Sequence, residues 1–300
     1  MSRARTANAP SGVPTPSVPM RAAKGVVLTV ACALVLVPFI GVISTSLATE
    51  KQVTESGGFV LIPNQITFGA YQAVLAGGVV TRAFVISVLV TVVGTAISLF
   101  STTTLAYALS RRGSFGHRPL LMVVLFALLF TPGIIPSYLI VKYLGLLNSY
   151  WSLIIPTAVN AFNVIVMRAF FMRLPQDLID SARIDGASEA TILRRVVLPL
   201  SKAAIAVIGL FYAVSYWNAF FNALLYINDT SKWPLQLILR TYVVNNSELG
   251  ASQLGGNEAL PPQQSLQMAI LVISVVPILL VYPFLQRHFA KGVLTGAIKG

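Results

Sequence analysis

The sequence predicts an all-α, polytopic membrane protein with six transmembrane helices. Three observations carry that prediction. Of 300 residues, 56% are hydrophobic and only 10% charged, against about 25% charged in soluble domains, and the mean hydropathy is +0.79. A soluble core cannot hide this much apolar surface, so much of it must face lipid. The apolar residues fall into runs of about 20, the length a helix needs to cross the ~30 Å hydrocarbon layer. The basic residues, which set a formal net charge of +12, recur on every second connection, as the positive-inside rule requires. That distribution accounts for the charge without a nucleic-acid partner.

Residues 1–23 are rich in Pro, Ser, Ala and Arg and carry no helical period. They are expected to form a disordered cytoplasmic tail, and 24–300 one transmembrane domain. The first span covers about 25–48. A basic flank before an apolar run also suits a secretory signal, but this run exceeds the usual h-region and lacks a clean small-residue cleavage site. An uncleaved span is expected. A polar outer segment, 49–80, holds Glu50, Lys51 and Glu55. The second span, about 82–109, ends at Arg111-Arg112, with His117 and Arg118 close behind. The third, about 119–141, is interrupted by Pro132-Gly133 and Pro136, breaks that survive where neighbouring helices or water satisfy the freed backbone. The fourth covers about 151–171, the fifth 203–227 and the sixth 265–285. Between the last two lies an outer segment, 228–264. A basic tail with Arg287, Lys291 and Lys299 ends the chain. Six spans place both termini on one side, and the basic connections fall on that side. It is expected to be the cytoplasm, with the chain in the cell membrane.

The spans contain no Asp or Glu. Proton and ion pumps usually need a buried carboxylate relay, and no internal repeat marks an inverted-repeat carrier. A self-contained secondary carrier is therefore disfavoured. There is no G-x-x-x-x-G-K-[ST], H-E-x-x-H or G-x-S-x-G motif. The single cysteine, Cys32, permits neither an internal disulfide nor a thiolate metal site. The chain is expected to perform no catalysis and to hold no metal or cofactor.

The informative stretch is the connection 173–202, where Asp177, Asp180, Asp185 and Glu189 mix with Arg183, Arg194 and Arg195. Pro175 suits a first helical turn. Leu178, Ile179 and Ala182 share one face of a short helix. Gly186 can supply the positive φ that reverses the chain, and Ser188 can cap a second helix. Ile192, Leu193, Val196 and Val197 then form an amphipathic stripe, which Pro199 is expected to end. The result is a helix–turn–helix on the cytoplasmic face. On the residues alone it serves equally as a docking element or as an interfacial pair resting on headgroups.

This stretch resembles the cytoplasmic EAA loop of importer-type ABC permeases. Asp185-Gly186-Ala187 and Leu198-Pro199-Leu200 match its pattern, and Asp180-Ser181-Ala182 stands where Glu-Ala-Ala is usual. The C-terminal stretch 286–300 resembles the tail of carbohydrate permeases related to the shorter maltose-type subunit. Ala161-Phe-Asn, Ile184-Asp-Gly and Tyr216-Trp-Asn-Ala-Phe-Phe-Asn222 resemble the branch for complex or acidic oligosaccharides. Thr131-Pro132-Gly133 departs from the Ser-Gly-Gly-like stretch of that family. The resemblance implies a type I ABC importer permease fold. It also implies a second homologous permease, two ATPase subunits that bind ATP and magnesium, an extracytoplasmic solute-binding protein and a carbohydrate substrate. It gives Asp180, Ser181, Ala182, Arg183, Asp185, Gly186, Ala187 and Pro199 the role of coupling to the ATPase. An ABC permease for another solute is the nearest alternative, and the C-terminal stretch speaks against it.

Polar and aromatic residues inside the spans are candidates for the pathway: Asn160 and Asn163 in the fourth, and Ser215, Tyr216, Trp217, Asn218 and Asn222 in the fifth. Aromatic faces and amides together suit a sugar, which offers C–H patches beside hydroxyls. The same groups serve equally as hydrogen bonds between helices.

Overall fold

The computed structural model describes residues 18–111, 113, 116–245, 247, 250, 254 and 261–297, the last fourteen as helical backbone only. The expectations for residues 1–17, for Ser114, for most of 246–260 and for the side chains of the C-terminal stretch lie outside the described residues. Those described are helical, turn or irregular, with no β-strand among them.

Helix α1 spans Val18–Leu47. It begins before the expected span and takes up residues 18–23 of the expected disordered tail. Pro19 falls in its first turn, where no backbone N–H is needed, and Arg21 and Lys24 can reach toward water. Two short helices follow in the outer segment, α2 (Glu50–Glu55) and α3 (Gly69–Leu75). Helix α4, Val79–Ser110, is long and uninterrupted. The third apolar stretch divides into α5 (His117–Leu129) and α6 (Ile134–Tyr143). The break falls at 130–133, where Gly133 has φ 83° and ψ −179°, a backbone open to glycine alone. Pro136 lies in the first turn of α6 and interrupts nothing.

The fourth stretch is also broken, which its hydropathy does not foretell. Helix α7 (Trp151–Ile154) continues through a 3₁₀ turn, Ile155–Thr157, and meets α8 (Ala161–Phe171) at 50°. Asn160 caps α8, its side chain accepting from the Asn163 N–H at 3.2 Å. The connection holds α9 (Gln176–Ile184) and α10 (Glu189–Leu200). Helix α10 runs through Pro199 rather than ending there, because residues 193–197 widen into a π-helical turn ahead of it. At Ser201 the chain bends by 85° into α11, Lys202–Trp217. A second break at Asn218–Ala219 precedes α12, Phe220–Tyr226.

The expected outer segment 228–264 contains a helix that the sequence reading did not foresee, α13, Leu235–Val244. Leu235, Leu237, Ile238 and Tyr242 are buried, and the Ser87 hydroxyl of α4 receives the Leu235 N–H at 2.8 Å. Helix α14 runs Gln263–Ala297, through Pro277 and Pro283 and into the expected basic tail.

The core forms where α11 packs on α4 and α8, with α14 joining from the other side. Helix α1 packs along α14 and α3, and its end bonds the segment after α2 through Ser44 and Thr45. Its long apolar surface, with Leu34 72% exposed, suits lipid or another subunit. Among the described residues, three helices are long and apolar enough to cross a membrane, or up to five if each bent pair is one span.

Candidate functional site

Helix α9 ends in a reversal in which Gly186 has φ 77°. The Ala187 N–H bonds Ala182 O at 3.0 Å and the Gly186 N–H bonds Arg183 O at 3.0 Å. These are the two bonds of a Schellman motif, so the expected positive φ is observed. Ser188 caps α10, accepting from the Thr191 N–H at 3.3 Å. Ile179, Ile192 and Val197 are buried against the bundle, with Ala182, Ala187, Leu193 and Val196 packed around them. Leu178 does not join that face: it is exposed, together with Ile184, which is 86% exposed. Asp180 accepts from Gln176 at 3.3 Å and lies 3.6 Å from Arg183. The Ser181 hydroxyl returns to Leu178 O at 3.2 Å. Asp185 stands exposed at the helix end.

Glu189, which sequence reasoning counted only among the loop charges, is the centre of this region. Its Oε1 accepts from Arg183 Nη2 at 2.7 Å and Nε at 3.2 Å. Its Oε2 accepts from the Tyr107 hydroxyl of α4, with Arg111 Nε at 4.0 Å. The Tyr107 hydrogen bond, followed by the two arginines, holds its carboxyl below the usual carboxylate range. Beside this cluster a cleft of about 880 Å³ is lined by Thr104, Met172 and Gln176 as well as by Glu189 and its partners. The C-terminal end of α4 has a further tie: Arg168 Nε of α8 donates to Leu109 O at 2.8 Å.

The second region is a cleft of about 430 Å³ between α8 and α11. It gathers Asn160, Asn163, Ser215 and Tyr216 from the sequence candidates and adds Phe162, Phe211 and Tyr212. Asn163 is buried, and among the described residues its side-chain amide has no hydrogen-bond partner. The two tyrosines bolt helices together. Tyr212 OH bonds Thr102 Oγ1 at 2.6 Å and accepts from the Asn160 N–H at 3.0 Å. Tyr216 OH donates to Ile154 O at 3.2 Å, so Ser98 Oγ, at 2.8 Å, donates to it. Trp217 lies outside this cleft, buried with its indole N–H on Ser274 O at 3.0 Å, in the turn that Pro277 loosens. Asn218 closes α11, returning to Val214 O at 2.9 Å, and Asn222 lies beyond the break.

The described residues form a bundle of apolar helices, several long enough to span a membrane, with a capped helix–turn–helix packed against it. The chain matches the family model of the binding-protein-dependent transport system inner membrane component over residues 103–295, and it belongs to that family. It is 48% identical over 266 residues to the polygalacturonan/rhamnogalacturonan transport system permease protein YtcP of Bacillus subtilis (strain 168), covering 88% of this chain and 93% of that one. It is 47% identical over 268 residues to Protein LplC of the same organism, covering 89% and 90%. In structure it matches a bacterial ABC transporter involved in the import of the acidic polysaccharide alginate. The TM-score is 0.83 at 32% identity, over 92% of this chain and all of that one. The fold is thus that of an ABC importer permease.

Proposed function

We propose that this chain lines the membrane pathway of an ATP-driven importer for an oligosaccharide, acidic sugars included. The observation that carries the reading is near-full-length identity of 48% to a polygalacturonan/rhamnogalacturonan permease. A second, homologous permease completes the pathway, two ATPase subunits supply energy, and an extracytoplasmic binding protein delivers the sugar. Six spans follow if α5 and α6 together make one crossing. Both termini and the α9–α10 loop then lie in the cytoplasm, with Arg111, Arg118, Arg173, Arg194 and Arg195 on that side. The 85° bend at Ser201 supports this placement: if α11 crosses the membrane, α10 lies along its surface.

Leu178 and Ile184, both exposed, with the charged Asp180, Arg183 and Asp185 on the same short segment, offer apolar and charged groups to an ATPase cleft. Asn163 offers an unpaired amide to a sugar hydroxyl. The test is uptake of galacturonate oligosaccharides in cells that carry or lack this chain, with ATP depletion as the control. ATP-dependent uptake that needs this chain is expected, and equal uptake without it would defeat the reading.

Two outcomes refine it. In a Cys32→Ala background, a membrane-impermeant maleimide is expected to label cysteines at Glu55 and Ser247 in intact cells, and one at Ser188 only after permeabilisation. Labelling of Ser188 in intact cells would invert the topology. Asn163→Ala is expected to raise the half-saturating sugar concentration about fivefold, the worth of one lost hydrogen bond. ATPase retention should be unchanged, and an unaltered saturation curve would remove Asn163 from the pathway.

A further inference from the structure

We infer that Glu189 is the positioning residue of the connecting loop: with Tyr107 and Arg111 it clamps α9 and α10 to α4, so that loop and helix move as one body. This inference rests on the reading of 174–200 as the coupling loop and adds the joint through which that loop acts.

One carboxylate ties three elements. Glu189 opens α10, its Oε1 holds Arg183 of α9, and its Oε2 holds Tyr107 of α4. Tyr107 is itself fixed. Its side chain is buried, its ring meets Phe171 edge-on at 6.5 Å, and the Arg111 guanidinium lies 4.7 Å over its centroid. Arg111 Nη2 also donates to the Tyr107 oxygen at 3.2 Å.

Stability is a poor reason for this arrangement. The side chains of Glu189 and Arg183 are 54% and 44% exposed, and half-exposed ion pairs contribute little. What the forked contacts supply is direction. The loop's other side-chain contacts with the bundle, through Ile179, Ile192 and Val197, are apolar and non-directional. Among the described residues, the Glu189 cluster makes the only side-chain hydrogen bonds between the α9–α10 loop and the membrane bundle.

The joint has somewhere to deliver motion. Helix α4 is bolted to α11 through Ser98–Tyr216 and Thr102–Tyr212, and those tyrosines reach α7 at Ile154 and the α8 cap at Asn160. A loop displacement passed to α4 therefore arrives at the walls of the α8–α11 cleft. If the clamp is cut, the loop can slide on its apolar face while α4 stays behind.

The test uses the complex of this chain with its partner permease and ATPase subunits in nanodiscs. A Ser215→Cys reporter in the Cys32→Ala background reads the cleft. Its maleimide labelling rate is compared with and without ATP–vanadate trapping, so no sugar is required. Y107F and E189Q are each expected to shrink the ATP-dependent change in rate about fivefold, and the double variant no further, as partners in one interaction must. Co-purified ATPase, ATP hydrolysis and thermal midpoint should stay at the level of the reporter alone. An unchanged response in the single variants, or effects that add in the double, would overturn the inference. If the reporter protein itself retains no ATPase, the coupling reading falls and this inference falls with it.

Discussion

Gly186→Val is expected to insert into the membrane at a normal level, lose its ATPase subunits on purification and show background uptake. No span is touched, so insertion should survive. The residue holds φ 77° at the pivot between α9 and α10, where a side chain costs on the order of 1 kcal/mol and a β-branched one more. Nothing lies within 4 Å of the Cβ it would gain, so the strain is conformational and not a clash within the chain. The chain relieves it by leaving the left-handed region. That breaks the two 3.0 Å bonds to Ala182 and Arg183 and turns α10 relative to α9. The exposed Leu178 and Ile184 would then no longer match a preformed cleft.

Gly186→Asn separates two causes, because Asn tolerates the left-handed conformation. Uptake retained by Asn places the effect in the backbone, whereas uptake lost in both places it in the space above Gly186. Asp185→Ala should weaken ATPase retention to a smaller degree. An exposed carboxylate at a helix C-terminus is opposed by the helix dipole, so the loop's own stability does not explain it. Ser114→Val, in the connection between α4 and α5, should transport normally. Normal uptake with full ATPase retention in Gly186→Val would remove the loop from coupling.

The reversal at Gly186 was legible because its signals are local: a glycine, then a capping serine, then an amphipathic stripe. The uninterrupted stretches of α1, α4 and α14 were legible because apolar length is enough to mark them. The breaks at 158–160 and at 218–219 were not. Inside lipid both faces of a helix are apolar, so hydropathy carries no phase in which an interruption can register. The residues at those breaks were singled out for another reason. Asn160 and Asn218, read as pathway candidates, serve as helix-end hydrogen-bonding groups. Pro156 ahead of Asn160 was the available signal for the first break.

Helix α13 escaped because its apolar run is too short for a span and sits among turn formers. Trp217 looked like a pathway aromatic, yet its partner is a carbonyl 57 residues away. Glu189 shows the same limit, since its hydrogen bond to Tyr107 spans 82 residues. Local spacing cannot announce a pair that only the folded bundle brings together.

Gly94→Leu is expected to abolish the folded permease, whereas Gly41→Leu should leave it intact, although the overlaps rank the other way. A Cβ on Gly41 would stand 2.0 Å from the Phe59 ring, and one on Gly94 2.9 Å from the Tyr216 ring. What decides is whether the neighbour can move. Phe59 is 47% exposed and can swing into open space. Tyr216 is buried, with its hydroxyl held by Ser98 and by Ile154 O. Displacing it costs about 1–3 kcal/mol for overpacking, and a further ~1–3 kcal/mol for each buried polar group left unpaired. The sum is several kcal/mol, a large share of the roughly 5–15 kcal/mol that holds a typical fold. It also falls where α4 and α11 make the core. Tyr216→Phe should show the smaller part, because it removes the hydroxyl and keeps the ring: a destabilisation of about 1–2 kcal/mol. Fluorescence-detected size exclusion and thermal midpoints in mild detergent measure all three. Gly94→Leu should give no monodisperse peak, Tyr216→Phe a peak with a lowered midpoint, and Gly41→Leu a peak like the parent. A stable, monodisperse Gly94→Leu would mean that α4 and α11 do not approach this closely, and the Tyr216 anchor between them would have to be abandoned.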